Sequence, residues 1–156
     1  MVLDDIDLRI LSLLQRDGKM TIKEVASQLS LTMTPVYERI RKMEREGVIR
    51  KYMALLDRKK LGYEMLVFCE VSLKSHSIEY IQQFTESIAV VHEVVECYHI
   101  AGRYDFLLKV VVKTMDDYQK FVLTRLSSLD NIGRVQSLFV LREVFQPRPE
   151  LAMTDQ

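Results

Sequence analysis

The sequence of 156 residues contains no Trp, three Pro, five Gly and two Cys. So little Gly and Pro, with no repeating tract, excludes a collagen-like or low-complexity chain. Cys69 and Cys97 stand 28 positions apart with no Cys-x-x-Cys spacing. That pattern argues against a disulfide framework or a structural zinc and suits a reducing cytoplasm. Long apolar runs are missing too: Val110 to Val112 and Leu138 to Leu141 fall far short of the roughly 20 residues of a membrane helix. Asp4, Asp5 and Asp7 occupy the start, where a secretory signal would be basic, so export is not expected. His76, His92 and His99 lack the His-x₃-His or His-Glu-x-x-His spacing of a metal site. No Gly-rich phosphate loop is present, and neither a cofactor nor a metal is expected. Cys97 and His99 fall on one side of an alternating segment without a third group to orient them, which favours a core or interface role over catalysis.

Apolar residues make up 48% of the chain and charged residues 28%, a composition that can build a folded core and excludes a disordered chain. The formal net charge is zero, but it is unevenly spread. Residues 1–60 hold 13 Lys+Arg against 9 Asp+Glu, a net of +4, and residues 61–156 hold 9 against 13, a net of −4. Within 39–60 there are 9 basic and 3 acidic residues. One basic end on a neutral chain predicts two modules, the first facing a polyanion.

The first 47 residues read as three short helices. Asp4 with Asp7 three residues on has capping-box spacing, and Ile6, Ile10, Leu13 and Leu14 mark one face as far as Asp17-Gly18. Thr21 with Glu24 starts a second helix carrying Ile22, Val25, Ala26 and Leu29. Thr32 is expected to cap a third, with Pro35 in its first turn, Val36, Ile40 and Met43 as its buried stripe, and Gly47 closing it. About three residues join the last two helices, which predicts a helix-turn-helix. Off the apolar stripe lie Thr34, Tyr37, Glu38, Arg41, Lys42 and Arg45. Hydrogen-bonding groups near the helix start and cations further on match a recognition helix, with bases read first and phosphates held behind. Arg41 can grip guanine or hold a phosphate, and Arg39 can face DNA or pair with an acid within the domain. Val48 to Leu56 is β-prone and predicts a strand or wing, with Arg50 and Lys51 near the DNA backbone. Asp57-Arg58-Lys59-Lys60 follows as a charged connector, basic toward DNA or merely solvated.

The second half alternates differently. Strand candidates are Met65–Leu73, Val91–Ala101, Phe106–Val112 and Arg134–Phe145, the last stopped by Pro147 and Pro149. In the second of these, Val94, Glu96, Tyr98 and Ile100 are expected on one face, and Val95, Cys97 and His99 on the other. Helices are expected after Ser77, bearing Ile78, Ile81, Phe84 and Ile88, and after Thr114, bearing Tyr118, Val122, Leu126 and Leu129. The order βαββαβ predicts a ferredoxin-like antiparallel sheet with both helices on one face. The fold class is therefore α+β: residues 1–50 a winged helix-turn-helix, 51–62 strand or linker, 63–148 the ferredoxin-like domain, 149–156 a tail. The open sheet face is expected to be largely apolar and covered by a second copy of the chain.

Leu3-Asp4-Asp5-Ile6-Asp7, Asp17-Gly18, Thr32 through Ile40 and Glu46-Gly47-Val48-Ile49 resemble the leucine-responsive/asparagine regulator (Lrp/AsnC, or feast/famine) family, as does Glu96 through Lys109. The resemblance spans nearly the whole chain. It implies a transcription regulator that binds double-stranded DNA through Thr34, Pro35, Tyr37, Glu38, Arg41, Lys42, Arg45, Arg50 and Lys51. It also implies dimers that close into an octamer, and a free amino acid held between dimers. The turn that would hold it here is Ala101-Gly102-Arg103-Tyr104-Asp105, with Val135 and Ser137 at a Thr-x-Thr position of the family. One hydroxyl is thus replaced by Val135, which with Leu138 favours leucine or methionine. Asp105 can receive the ligand's ammonium or pair within its own subunit. Two alternatives stand beside this reading: an amino-acid-sensing module without DNA binding, and an enzyme similar to the sirohaem decarboxylases.

Overall fold

A computed structural model of the chain describes residues 2–144. Phe145, Pro147, Pro149 and the expected tail lie outside the described residues. Those described fall into two compact units, 2–55 and 56–144.

The first unit holds α1 (Asp5–Arg16), α2 (Ile22–Gln28) and α3 (Met33–Arg45). The start of α1 follows from its acids. The Asp4 carboxylate accepts the Asp7 N–H at 2.9 Å, and Asp7 accepts the Asp4 N–H at 3.2 Å, so two orphan donors of the first turn are satisfied reciprocally. Thr21 and Glu24 do the same for α2, through bonds of 3.2 and 2.7 Å. Thr32 departs from expectation: it takes the extended backbone of a cap, but its side chain makes no capping bond. Gly47, at φ +75°, ends α3, and the Gly47 and Ile49 N–H groups return to the carbonyls of Glu44 and Met43. Ser30 makes the tight turn between α2 and α3 with φ +55°, a left-handed conformation that the sequence did not flag for a serine. Ile10, Val25, Val36 and Met43 meet in the centre with no exposed surface, each contributing about 1.5–3 kcal/mol of burial.

No strand forms over Val48–Leu56; the chain there is irregular and exposed except for Ile49, which packs against the core of the unit. A strand needs a neighbour to take its N–H and C=O groups, and every regular element described in this unit is a helix.

The second unit has the expected order: β1 (Met65–Leu73), α4 (Ile78–Ala89), β2 (Val94–His99), β3 (Phe106–Val112), α5 (Met115–Phe121) and β4 (Ile132–Phe139). All pairings are antiparallel, in the strand order β2-β3-β1-β4. Thr114 and Asp117 form the expected capping box. Beyond Phe121 the helix widens into a π-helical turn, Val122–Leu126, which tucks Leu126 into the core. β4 stops at Phe139, short of its expected end.

Strict alternation puts Val67, Cys69, Val71, Phe106, Leu108 and Val110 against Phe84, Ile88, Tyr118 and Phe121. One expectation about faces fails. The register of β2 against β3 shifts between Val94 and Glu96, a bulge at Val95 that resets the alternation. Val94 pairs with Val110, and Cys97 and His99 with Leu108 and Phe106, so these three share the helix side while Glu96 and Tyr98 take the other. That other face is more mixed than expected. Leu66, Phe68, Leu107, Val111 and Leu138 alternate there with Glu70, Glu96, Lys109 and Arg134. Lys109 and Glu96 form an ion pair at 2.7 Å. Burial alone would raise the Glu96 pKa, but the hydrogen bonds from Lys109 and Tyr98 outweigh it and hold the carboxyl below its usual value.

Candidate DNA interface and effector turn

α3 separates its residues cleanly. Val36, Ile40 and Met43 are buried, while Thr34, Pro35, Tyr37, Glu38, Arg41, Lys42 and Arg45 are exposed. Thr34, Tyr37 or Glu38, Arg41 and Arg45 follow one another at three- and four-residue steps, a single ridge along the helix. The first turn of α3 has no acid, unlike those of α1, α2 and α5. Its positive dipole end is therefore left uncompensated, and Thr32 does not occupy it. Pro35, Glu38, Lys42 and Arg45 also line an open groove with Val2, Asp4 and Arg39. Arg50 and Lys51 are exposed on the irregular segment that follows α3.

Arg39 settles its own alternative. Its Nη1 reaches Asp4 Oδ2 and Asp7 Oδ1, each at 2.7 Å. Asp7 is buried, so the guanidinium ties α3 to the start of α1 rather than standing free for DNA. The Asp7 N–H, and after it Arg39, hold the Asp4 carboxyl below its usual pKa. Arg41 pairs within its own helix, Nη1 lying 3.2 Å from Glu44 Oε2. In the connector, Arg58 donates to the carbonyls of Tyr63 and Glu64 and pairs with Glu143 at 2.7 Å; it is a structural residue of the second unit.

The second candidate site is the turn Ala101–Asp105. Gly102 sits at φ +149°, with open space where a side chain would stand. The Ile100 N–H donates to the Asp105 carbonyl at 2.8 Å and closes the turn. Arg103 lies over the Tyr104 ring, 5.9 Å from its centroid. Tyr104 is buried, and its hydroxyl donates to Gln136 Oε1 at 2.7 Å. Asp105 is already engaged within its own chain. Its Oδ2 accepts the Leu73 N–H at 2.7 Å, and His76 Nε2 lies 3.0 Å from Oδ1 and 3.2 Å from Oδ2. The turn is thus tied to β4 through Gln136. Val135 packs toward the helix-side core, and Ser137 shares a hydrogen bond with the buried Tyr118 hydroxyl. The structure does not bring these two to the turn, because successive strand residues face opposite ways. Burial pushes Tyr118 up to about 12 and the neighbouring Cys69 up to about 11. His76 and Gln136 were missed. His76 has no local signal, being 29 positions from Asp105, whereas alternation around Gln136 would have revealed it.

Two family profiles cover the chain: a winged helix-turn-helix DNA-binding profile over residues 3–50, and the Lrp/AsnC ligand binding domain over residues 66–150. The chain belongs to the Lrp/AsnC family. Among relatives of this Lrp/AsnC protein, the Bkd operon transcriptional regulator of Pseudomonas aeruginosa is 36% identical over 142 residues, 91% of this chain and 93% of that one. The leucine-responsive regulatory protein of Rhizobium meliloti is 37% identical, covering 91% of each. An AsnC family transcriptional regulator from Agrobacterium tumefaciens superposes with a TM-score of 0.90 at 36% identity, covering 97% of both chains. A transcriptional regulator of Neisseria meningitidis, solved in complex with L-Met, superposes at 0.88 with 30% identity, covering 93% of this chain and 94% of that one. This Lrp/AsnC chain is a DNA-binding transcriptional regulator with a ligand-binding domain, and not an enzyme. Among its described residues no helix is long and apolar enough to cross a membrane.

Proposed function

We propose that the protein binds double-stranded DNA as a homodimer through the exposed ridge of α3, and that a free amino acid bound at the Ala101–Asp105 turn modulates it. The observation that carries the DNA reading is the one-sided α3. Its apolar stripe of Val36, Ile40 and Met43 is buried, and Thr34, Tyr37, Glu38, Arg41, Lys42 and Arg45 are exposed. Thr34, Pro35, Tyr37, Glu38 and Arg41 face the bases, and Lys42, Arg45, Arg50 and Lys51 the phosphates. Arg41→Ala tests this. Each phosphate contact contributes about −0.9 to the slope of log K against log salt, so the variant should bind less tightly and, if Arg41 holds a phosphate, with a shallower slope. Unchanged affinity at every salt removes Arg41 from the interface.

The effector reading rests on the turn. A zwitterion needs donors for its carboxylate and an acceptor for its ammonium. The Gly102 backbone and Arg103 supply the first; Asp105 supplies the second through Oδ1, the oxygen that Leu73 does not engage. Val135 and Ser137 face the helices, so we centre the proposal on Ala101, Gly102, Arg103, Tyr104 and Asp105, with Leu138 as the apolar neighbour on the Gln136 face. The L-Met complex of the Neisseria relative supports an apolar amino acid, leucine or methionine. Calorimetry with the twenty amino acids on wild type and Asp105→Ala tests it. Absence of binding below millimolar, or equal binding by the variant, rejects the site.

Assembly follows from the open sheet face, where a second copy buries Phe68, Val111 and Leu138, each Å² of apolar surface being worth about 25 cal/mol. Closing dimers into an octamer requires a further, heterologous contact. In sedimentation a monomer at micromolar concentration rejects the dimer, and a dimer that never grows rejects the octamer. Two free thiols, Cys69 and Cys97, suit work on DNA in a reducing cytoplasm.

A further inference from the structure

Glu44, on α3 one turn beyond Arg41, is shared between two donors. Its Oε2 takes Arg41 Nη1 at 3.2 Å, and its Oε1 takes the hydroxyl of Tyr52 at 3.2 Å. Tyr52 lies on the irregular segment that leaves α3, eight residues further along the chain. Its ring rests against the turn after α1, with Cδ1 3.7 Å from where a Gly18 side chain would begin. Three groups from two parts of the unit thus form one chain: Tyr52, Glu44, Arg41.

We propose that Tyr52 is a positioning residue for DNA binding: by occupying one oxygen of Glu44, it leaves Arg41 a single weak tether and keeps that guanidinium available to DNA. The inference rests on the reading of Arg41 as a DNA contact. The physical argument is one of competition. A carboxylate with both oxygens unclaimed can hold an arginine by two parallel bonds, the strongest arrangement such a pair has. With Oε1 already accepting from the phenol, a second arginine bond there would have to share that oxygen and would be weaker, so Oε2 is the better acceptor. The tether is then an exposed i,i+3 pair, which contributes little and is readily given up to a phosphate or a guanine. Burial first, and the Glu44 carboxylate second, push the Tyr52 pKa up, so the phenol stays protonated and remains a donor. The same bond ties Glu44 to the segment that leaves α3.

Tyr52→Phe keeps the ring against Gly18 and removes only the hydroxyl. Affinity is measured for a 40-base-pair duplex selected from a random library on the wild-type protein, with the full chain throughout. The expected result is a two- to tenfold weaker Kd, the range a single net hydrogen bond spans, with an unchanged melting temperature. In a Glu44→Ala background nothing remains to capture Arg41, so adding Tyr52→Phe should then change Kd by less than about 1.5-fold, the signature of coupled residues. Wild-type binding by Tyr52→Phe overturns the proposal, as does an equal loss with Glu44 present or absent. Arg41→Ala separates the two levels. If it leaves Kd unchanged, the reading of Arg41 falls and this inference with it; if it weakens binding while Tyr52→Phe does not, only the role of Tyr52 falls.

Discussion

Replacing Arg39 by Leu should loosen the DNA-binding unit by removing an ion pair internal to it. The Asp7 side chain is only 5% exposed and receives two donors, Arg39 Nη1 at 2.7 Å and the Asp4 N–H at 3.2 Å. Without the guanidinium, a buried carboxylate keeps one backbone bond and gains an uncompensated neighbour in Asp4. Breaking a fully buried pair from one side costs about 3–5 kcal/mol. The Arg39 side chain is 31% exposed, so water already screens part of the attraction and a figure of about 2 kcal/mol is appropriate. Amide hydrogen exchange on the full chain reads it locally. Protection in α1 and α3 should fall about 30-fold, the equivalent of 2 kcal/mol, while β1 and β3 keep theirs. Adding Asp7→Asn to Arg39→Leu should recover part of the loss, because the buried charge is then gone. A fall of less than threefold in α1, or no recovery in the double variant, would refute the clamp.

Three further outcomes are expected. Gly47→Ala should cost about 1 kcal/mol in thermal unfolding of the N-terminal unit, because φ is +75° with no neighbour within 4 Å and backbone strain is the whole effect; Gly18→Ala, at an ordinary backbone angle, should not destabilise, and the reverse ranking would contradict this. In the native protein at pH 8 a thiol reagent should titrate Cys97 alone, since Cys69 is buried with its pKa pushed to about 11, and two fast thiols per chain would disprove that placement. Asp4 and Glu24 have folded pKa values below their usual ones, set first by the backbone N–H groups of Asp7 and Thr21. They bind fewer protons folded than unfolded, so the stability they add is present above about pH 5 and is lost as the pH falls through their folded pKa values; a urea midpoint that rises between pH 5 and pH 3 would reverse the sign.

Local chemistry was enough for much of this protein. Asp4 with Asp7, Thr21 with Glu24 and Thr114 with Asp117 mark three helix starts, because a capping box joins residues three apart and needs nothing distant. Val36, Ile40 and Met43 likewise name the buried side of α3, and so the ridge it presents, since helical periodicity is a property of the chain itself. The order of strands and helices identified the ferredoxin-like unit in the same way. What only the tertiary structure decided depends on partners far along the chain. Arg39 reads as a DNA contact or as a strut until Asp4 and Asp7 are brought beside it. The bulge at Val95 moves Val94 to the core side, and no pattern within β2 foretells where β3 will accept an extra residue. Val48–Leu56 has the composition of a strand and is not one here, because strand formation belongs to a pair of segments and not to one. Asp105 binds Leu73 and faces His76 for the same reason: those contacts exist only once β1 and β3 lie side by side, a relation set by long-range packing and absent from any local stretch of sequence.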